Sequence, residues 1–352
     1  MLNGRSSSMP GRAELTVFLI ICLGFAIYPA LAGAYATSAV SYFIIMTFLG
    51  ISLSVVWGYT GIFSFGQAAL FGIGGYTYGI IAGNLGDPNL TFVALVGGLA
   101  AAALAAAVLG YFMFYGGVSD VYVGITTLAV TLVLSTFMYQ TSGSQWVVGK
   151  VQLGGYNGMT NIPALQLTIG SFTLSFAGVA LYYLALGVLV VTYAGLVILL
   201  RSRFGYAMIA IRENRERSEL LGYNLRLIQL IVFVIGGVLA GLSGILYATW
   251  GNYMTPSTMA MTSASLPVIW VAVGGRKSLV AVIIATIILL FVQQSLAGRG
   301  DQYALVIFGA LLTAVMLFVP DGFIVIFARF VSRIAMRTSG RNKRLVSPPS
   351  TT

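Results

Sequence analysis

Residues 58–76 read GYTGIFSFGQAALFGIGGY, a stretch that is apolar enough for a membrane interior but contains six glycines. It also carries the polar side chains of Thr60, Ser64 and Gln67. Polar groups at membrane depth normally face a protein interior or an aqueous path, and irregular backbone is tolerated there only where it is buried in protein or lines a cavity. The stretch therefore indicates a helix inside a membrane-embedded bundle.

The three polar residues are separated by four and three positions, so in a continuous helix they share one face. Two interpretations of this face remain open. It is either a stripe of hydroxyls and an amide that lines a solute path, or a set of hydrogen bonds to neighbouring helices. Tyr76 and Asn252 are further candidates for the same path.

The glycines of this region follow a spacing that favours close helix packing. Gly75, Gly79 and Gly83 form a GxxxGxxxG pattern, and Gly237 and Gly241 form a second GxxxG pair. Such spacing lets helix backbones approach closely in a membrane, where no hydrophobic effect drives helices together. We expect most of these glycines to contact other helices.

The composition is that of an all-α, polytopic integral membrane protein. Of the 352 residues, 59% are hydrophobic and 7% are charged, against about 25% charged in soluble domains. The chain has no histidine and one cysteine, Cys22, which excludes disulfides within the chain and metal sites of cysteine and histidine. The net charge of +10 lies at the ends of apolar segments and in the tail, which orients a membrane protein and does not indicate nucleic-acid binding.

Apolar runs predict about ten transmembrane helices, some of them short or broken, within a permease domain of residues 15–327. A cytoplasmic segment of residues 1–14 precedes this domain, and a basic cytoplasmic tail of residues 328–352 follows it. The eighth run gives the weakest prediction, because Pro256 and Pro267 interrupt it and its continuous apolar core, residues 266–275, is too short to span a membrane alone. The ten runs are 15–35, 37–57, 62–83, 90–115, 118–139, 172–200, 227–250, 255–275, 278–296 and 303–327.

Positive charge sets the predicted orientation. Residues 201–226 hold six arginines and the tail is also basic, so both are expected in the cytoplasm. Only a chain in which 255–275 crosses the membrane places both on the same side. Both termini are then cytoplasmic, and the loop of residues 140–171 is external.

The cytoplasmic segment 201–226 has an unusual pattern. Phe204, Met208 and Ile211 recur at the spacing of one helical face, and Gly222 supplies a natural stop. Between them, opposite charges stand four residues apart in the pairs Arg212–Glu216 and Arg215–Glu219. We interpret this pattern as a docking element for another protein, the alternative being a solvated helix at the membrane surface.

Several classes of function are disfavoured. The acidic residues lie at predicted segment ends or in the cytoplasmic segment, so there is no relay for proton- or sodium-coupled transport and no catalytic set for an intramembrane enzyme. The run 268–278 fails as a phosphate-binding loop, because Arg276 stands where glycine must precede the lysine. Any ATP would therefore be hydrolysed by a partner. A passive channel remains an alternative, but it would not need the charged cytoplasmic segment.

Three motifs together resemble the LivM-type permeases of bacterial ABC importers, which carry branched-chain amino acids, urea or short amides. They are the stretch 58–76, the elements SRFG, AIRE and LGY within residues 202–223, and IWVAVGGR at residues 269–276. The resemblance extends from about residue 41 to residue 322. It implies a multi-pass, non-catalytic subunit of the bacterial cytoplasmic membrane.

The resemblance also implies partners. A second, LivH-type permease subunit would form a heterodimer with this chain, two cytoplasmic ABC ATPases would bind ATP and Mg, and a periplasmic or lipid-anchored binding protein would deliver substrate. The chain itself would bind no cofactor. The residues expected to couple it to the ATPases are Phe204, Gly205, Met208, Ile211, Arg212, Glu213, Glu216, Leu221 and Gly222.

The expected substrate is urea or a short amide, slightly ahead of branched-chain amino acids. Many amino-acid permeases of this type have histidine where this chain has Gln67. The runs at residues 57–61 and 270–276 also look more like the urea and amide branch.

Overall fold

The computed structural model describes residues 11–297, apart from 144, 170 and 171, together with residues 306, 309, 310 and 313. It confirms an all-α, multi-pass architecture, in which the strands of these described residues are short and lie in the connections that follow α5 and α9. The helices are α1 (Arg12–Leu31), α2 (Ala34–Leu53), α3 (Gln67–Leu85), α4 (Thr91–Tyr115), α5 (Asp120–Gln140), α6 (Val179–Arg201), α7 (Arg203–Glu213), α8 (Arg215–Leu220), α9 (Leu225–Gly251), α10 (Met261–Gly274) and α11 (Leu279–Ala297).

Seven of the described helices are long and apolar enough to cross a membrane, namely α1, α2, α4, α5, α6, α9 and α11. Helix α10 has 14 residues, or about 21 Å of rise, which is less than the roughly 30 Å of a bilayer core. Most of the tenth predicted run, 303–327, lies outside the described residues. The count of ten crossings and the cytoplasmic position of both termini therefore stay predictions.

Three predicted helix starts were wrong, and one of them is that of the run 255–275, whose helix α10 begins only at Met261. The run 62–83 becomes helical only at Gln67, since residues 61–66 have no regular structure. The run 172–200 begins with a strand, β5 (Phe172–Ser175), which pairs antiparallel with β4 (Gln166–Ile169). Helix α6 then starts at Val179, after Gly178 has turned the chain with a φ of +56°.

Helices α2 and α9 form an antiparallel pair at the centre of the bundle. The Ser52 hydroxyl donates to the Gly236 carbonyl at 2.7 Å, and the Ser243 hydroxyl donates to the Ile45 carbonyl at 2.8 Å. Near the other end of α2, the Trp250 indole donates to the Ser38 carbonyl at 3.0 Å. The C-terminal end of each helix therefore lies beside the N-terminal end of the other.

Glycines bring α3 against α9, and α9 against α4. A Cβ atom at Gly74 would lie 2.6 Å from the Gly241 Cα, and a Cβ at Gly244 would collide with the Phe71 carbonyl. Gly237 and Gly241 pack against the methyl groups of Ala106 and Ala102. Close helix packing is thus confirmed for the 237–241 pair.

The GxxxGxxxG pattern in α3 divides between two kinds of neighbour. Gly75 faces the backbone of α9 at Gly244, as expected. Gly79 and Gly83 instead face side chains of the connection between α5 and α6, those of Met159, Ile162 and Val151. These two glycines make room for that connection rather than for a helix.

The bundle contains two similar interrupted units. In one, α2 leads through an irregular segment into α3, and in the other α9 leads through residues 252–260 into α10. Helix α3 packs on α9, while α10 packs on α2. Because α2 and α9 are antiparallel, the two interruptions lie at opposite ends of the pair.

We predict that Gly244→Ala lowers the midpoint temperature of thermal unfolding of the detergent-solubilised protein. The added methyl group must displace the backbone of α3, a change that typically costs about 1–3 kcal/mol. Gly187→Ala in α6 is the matched control, since nothing lies within 4 Å of its Cβ position. Equal midpoints for the two variants would contradict the close approach of α3 and α9.

Candidate solute path and coupling site

The junction between α2 and α3 is an irregular and largely buried part of the bundle. A π-helical segment, Ser54–Tyr59, extends α2 by six residues. Gly61 follows with a φ of +82°, which favours glycine, and α3 starts only at Gln67. Single π-helical turns often mark functional positions in helices. Because residues 61–66 are not helical, the expected common helical face of Thr60, Ser64 and Gln67 does not exist.

All three polar side chains are nevertheless buried, with exposed fractions of 3%, 1% and 1%. The Thr60 hydroxyl donates to the Val56 carbonyl, and the Ser64 hydroxyl accepts from the Gly66 amide at 3.0 Å. These two side chains bond the local backbone. Gln67 differs, since neither its Oε1 nor its Nε2 atom has a hydrogen-bonding partner among the described residues.

Tyr76 and Asn252 lie apart from this junction in sequence and differ in role. The Tyr76 hydroxyl is buried and has no partner in the part of the chain that the structure describes. Asn252 follows α9 with a φ of +55°, and its side chain donates to the Ile162 carbonyl at 3.0 Å. Its own carbonyl accepts from the Ile162 amide, beside the pairing of β3 (Met159–Thr160) with β6 (Tyr253–Met254). Asn252 therefore fastens the α5–α6 connection to the end of α9.

A ladder of hydroxyls on α5 was missed by the sequence analysis. The Thr127 hydroxyl oxygen accepts a hydrogen bond from the Phe65 amide at 3.1 Å, and the Thr131 hydroxyl donates to the Phe65 carbonyl at 3.3 Å. One turn further, the Ser135 hydroxyl donates to the Pro256 carbonyl at 3.4 Å. These three hydroxyls, spread over about 12 Å along α5, therefore contact the interrupted segments of both helical units. The sequence signal for these hydroxyls was their spacing of four residues, which places them on one face of an apolar helix.

Arg212 connects the charged segment of residues 201–226 to the π-helical segment. Its side chain is 10% exposed, and Nη1 donates to the Gly58 carbonyl at 2.6 Å. Nη2 and Nε donate to Oε1 of Glu213 at 2.7 and 3.2 Å. These hydrogen bonds hold the pKa of the Glu213 carboxyl below its ordinary value.

The expected pairing of Arg212 with Glu216 on one helix was wrong. Helix α7 ends at Glu213, and Asn214 is extended, with φ −158° and ψ 105°, before α8 begins. The Asn214 side chain instead caps α8 by accepting the Arg217 amide at 2.8 Å. The predicted stop is observed at Gly222, whose φ is +86°.

The apolar stripe of α7 lies mostly inside this chain. Met208 and Ile211 are buried, with exposed fractions of 0% and 4%, and Gly205 is buried against the Leu200 backbone. Phe204 is half-buried. The stripe therefore fixes α7 to its own bundle. A partner could reach the opposite surface, formed by Tyr206, Glu213, Glu216, Leu220 and Leu221, which are all exposed.

The turn between α10 and α11 contacts the same π-helical segment from another side. The Tyr59 hydroxyl donates to the Lys277 carbonyl at 3.2 Å, and the Arg276 guanidinium lies 5.8 Å from the centre of the Trp57 ring. A Cβ atom at Gly58 would collide with the Arg276 carbonyl. The π-helical segment is therefore held between α7 and the α10–α11 turn.

These features define the class of the protein. Helices of membrane-spanning length enclose buried polar groups beside two interrupted helical units, an arrangement typical of multi-pass transport proteins. Residues 35–319 match the family described as "Branched-chain amino acid transport system / permease component", and the chain belongs to this family.

Individual relatives agree with the family match. The chain is 26% identical over 331 residues to the high-affinity branched-chain amino acid transport system permease protein LivM of Escherichia coli, covering 87% of this chain and 74% of that protein. It is 32% identical over 160 residues to the corresponding permease protein BraD of Pseudomonas aeruginosa, covering 42% of this chain and 50% of that protein. No solved structure matches the chain.

We predict that Thr127→Val destabilises the junction before α3. The substitution removes the acceptor of the Phe65 amide, and an unpaired buried amide costs about 1–3 kcal/mol. The midpoint of thermal unfolding in detergent should therefore fall. Thr126→Val, one position earlier on α5, makes the same chemical change where no hydrogen bond to the junction exists among the described residues. An equal effect of both substitutions would contradict the role of Thr127.

Proposed function

We propose that this chain is the membrane-spanning subunit of an ATP-driven importer that carries branched-chain amino acids by alternating access. The observation that carries the mechanism is the Arg212–Gly58 hydrogen bond, which links the charged cytoplasmic segment to an interruption in the bundle interior. In this proposal the chain catalyses no reaction, because partner ATPases bind and hydrolyse ATP.

The relatives favour the amino-acid substrate. LivM of Escherichia coli and BraD of Pseudomonas aeruginosa are both named for branched-chain amino acid transport. Neither name mentions urea or an amide, so the preference expected from Gln67 and its neighbouring motifs has no support from these proteins. We therefore place branched-chain amino acids ahead of urea and short amides.

The coupling step follows from the contacts of α7. A partner ATPase would bind the exposed surface of α7 and α8, and its nucleotide-dependent closure would shift α7. Arg212 would carry this shift to the Gly58 carbonyl, and the π-helical segment would pass it to the α10–α11 turn. Both interrupted units would then move together. ATP supplies the bias because the ATPase dimer binds it more tightly in one state than in the other.

The proposed assembly contains more than this chain. A LivH-type permease forms the second half of the membrane domain, two ABC ATPases lie below it, and a periplasmic or lipid-anchored binding protein delivers the substrate from outside. We place this assembly in the bacterial cytoplasmic membrane.

Uptake by the complete importer in proteoliposomes tests the substrate. With ATP and the binding protein present, labelled L-leucine and L-valine should accumulate, whereas labelled urea and acetamide should not. Uptake of urea without leucine would overturn the substrate assignment. Conduction of solute by this chain alone, without ATP, would instead favour a passive channel.

We predict that the double substitution Arg212→Ala and Glu213→Ala uncouples ATP hydrolysis from transport. Leucine uptake should fall about tenfold, equivalent to about 1.4 kcal/mol, while the importer still hydrolyses ATP. The physical reason is that the Gly58 carbonyl loses the donor that joins it to α7. Both rates are measured on the same proteoliposomes.

Arg226→Ala is the control for this prediction. Arg226 is an exposed arginine of the same cytoplasmic segment, next to the start of α9. It should leave the ratio of transport to ATP hydrolysis unchanged. Unchanged uptake in the double variant would argue against the proposed coupling contact.

A further inference from the structure

The N-terminus of α3 carries backbone donors that the helix itself does not use. The first backbone hydrogen bond of α3 runs from the Leu70 amide to the Gly66 carbonyl at 3.0 Å. The amides of Gln67, Ala68 and Ala69 precede this bond and so have no acceptor within the helix. All three residues are buried, with exposed fractions of 1%, 1% and 0%. Water at the protein surface therefore does not satisfy these amides.

A second observation at this turn also indicates a missing ligand. Gln67 is the first residue of α3, and both polar atoms of its side chain are buried with no partner within the described ranges. In a helix the Cα–Cβ bond tilts towards the N-terminus, so this side chain leaves the backbone on the side where the free amides lie. A buried amide side chain without hydrogen bonds is costly, and native proteins rarely retain one without a reason.

The surrounding groups favour a ligand that accepts hydrogen bonds and is negatively charged. The aligned peptide dipoles give the N-terminus of a helix a partial positive charge, and its free amides point outwards as donors. Residues 59–85 contain no acidic side chain that could occupy the position. The Ser64 hydroxyl is already engaged by the Gly66 amide, so it does not compete for the α3 amides.

Neighbouring contacts fix the position of this turn. Thr127 and Thr131 of α5 hold the amide and carbonyl of Phe65, two residues before α3 begins. On the preceding side, Gly61 lies against the Arg212 side chain, which holds the Gly58 carbonyl. The turn is thus fixed by α5 and linked to the segment that the proposed coupling step moves.

We infer that the N-terminus of α3, together with the Gln67 amide, binds the carboxylate of the transported amino acid. The backbone amides are hydrogen-bond donors without a full charge. They would therefore orient the carboxylate through hydrogen bonds and release it when the turn moves. The Gln67 Nε2 group donates a further hydrogen bond. This inference rests on the proposed function, since it assigns one group of the proposed substrate to one turn of the path.

The test is Gln67→Glu in the complete importer, reconstituted with its partner subunits in proteoliposomes. Glutamate has nearly the same shape as glutamine, and a negative charge at a helix N-terminus favours folding. Its charge would repel the substrate carboxylate across a short distance in a buried site. We expect the initial rate of labelled L-leucine uptake at pH 7.5 to fall roughly tenfold or more, with no decrease in the midpoint of thermal unfolding.

Two further variants serve as controls for this result. Gln152→Glu adds the same charge at an exposed position of the α5–α6 connection and should transport like wild type. Gln67→Ala removes the side-chain amide but keeps the backbone donors, so its loss of uptake should be clear but smaller than that of Gln67→Glu. If Gln67→Glu does not assemble, Gln67→Ala decides alone.

The outcomes separate this inference from the proposed function. A wild-type importer that takes up urea and not leucine refutes the substrate assignment itself. If wild type transports leucine, the carboxylate site is overturned by wild-type uptake in Gln67→Glu, by equal losses in the glutamate and alanine variants, or by unchanged uptake in a folded Gln67→Ala.

Discussion

Inside a membrane, a backbone group that leaves a helix must find its partner within the protein or in a bound ligand, and this constraint organises the whole structure. Two helical units are interrupted, and each interruption frees amides and carbonyls. The Gly58 carbonyl is bonded by Arg212, and both backbone groups of Phe65 are bonded by the hydroxyls of α5. At the other interruption, Ser135 of the same helix bonds the Pro256 carbonyl. The elements that flank the interruptions are arranged to supply these partners.

The same constraint explains which parts of the fold could be predicted from the sequence. Long apolar runs identify membrane helices because an uninterrupted helix satisfies its own backbone, so runs such as 90–115 and 227–250 correspond closely to α4 and α9. An interruption depends on partners elsewhere in the chain. The break at residues 61–66 is stabilised by Thr127 and Arg212, which are distant in sequence, and hydropathy alone does not contain that information.

The candidate site was predicted in part for a similar reason. Gln67 stood out because an amide is unusual in an apolar run, but its lack of partners depends on packing that no local pattern encodes. Arg212 stood out through charge, yet its bond to Gly58 spans 154 positions of sequence. The hydroxyls of α5 were overlooked because threonine and serine in apolar helices commonly bond their own preceding turn, as Thr131 does with Thr127.

The glycine contacts between α3 and α9 have a mechanical consequence. With Gly74 on Gly241 and Gly244 on Phe71, the two backbones touch without side chains between them, so neither helix can rotate alone. Helix α9 spans 27 residues, about 40 Å of unbroken helix, from α8 to Asn252, which fastens the α5–α6 connection. A tilt applied to this pair at the α8 end would therefore also displace the α5–α6 connection at the other end of α9.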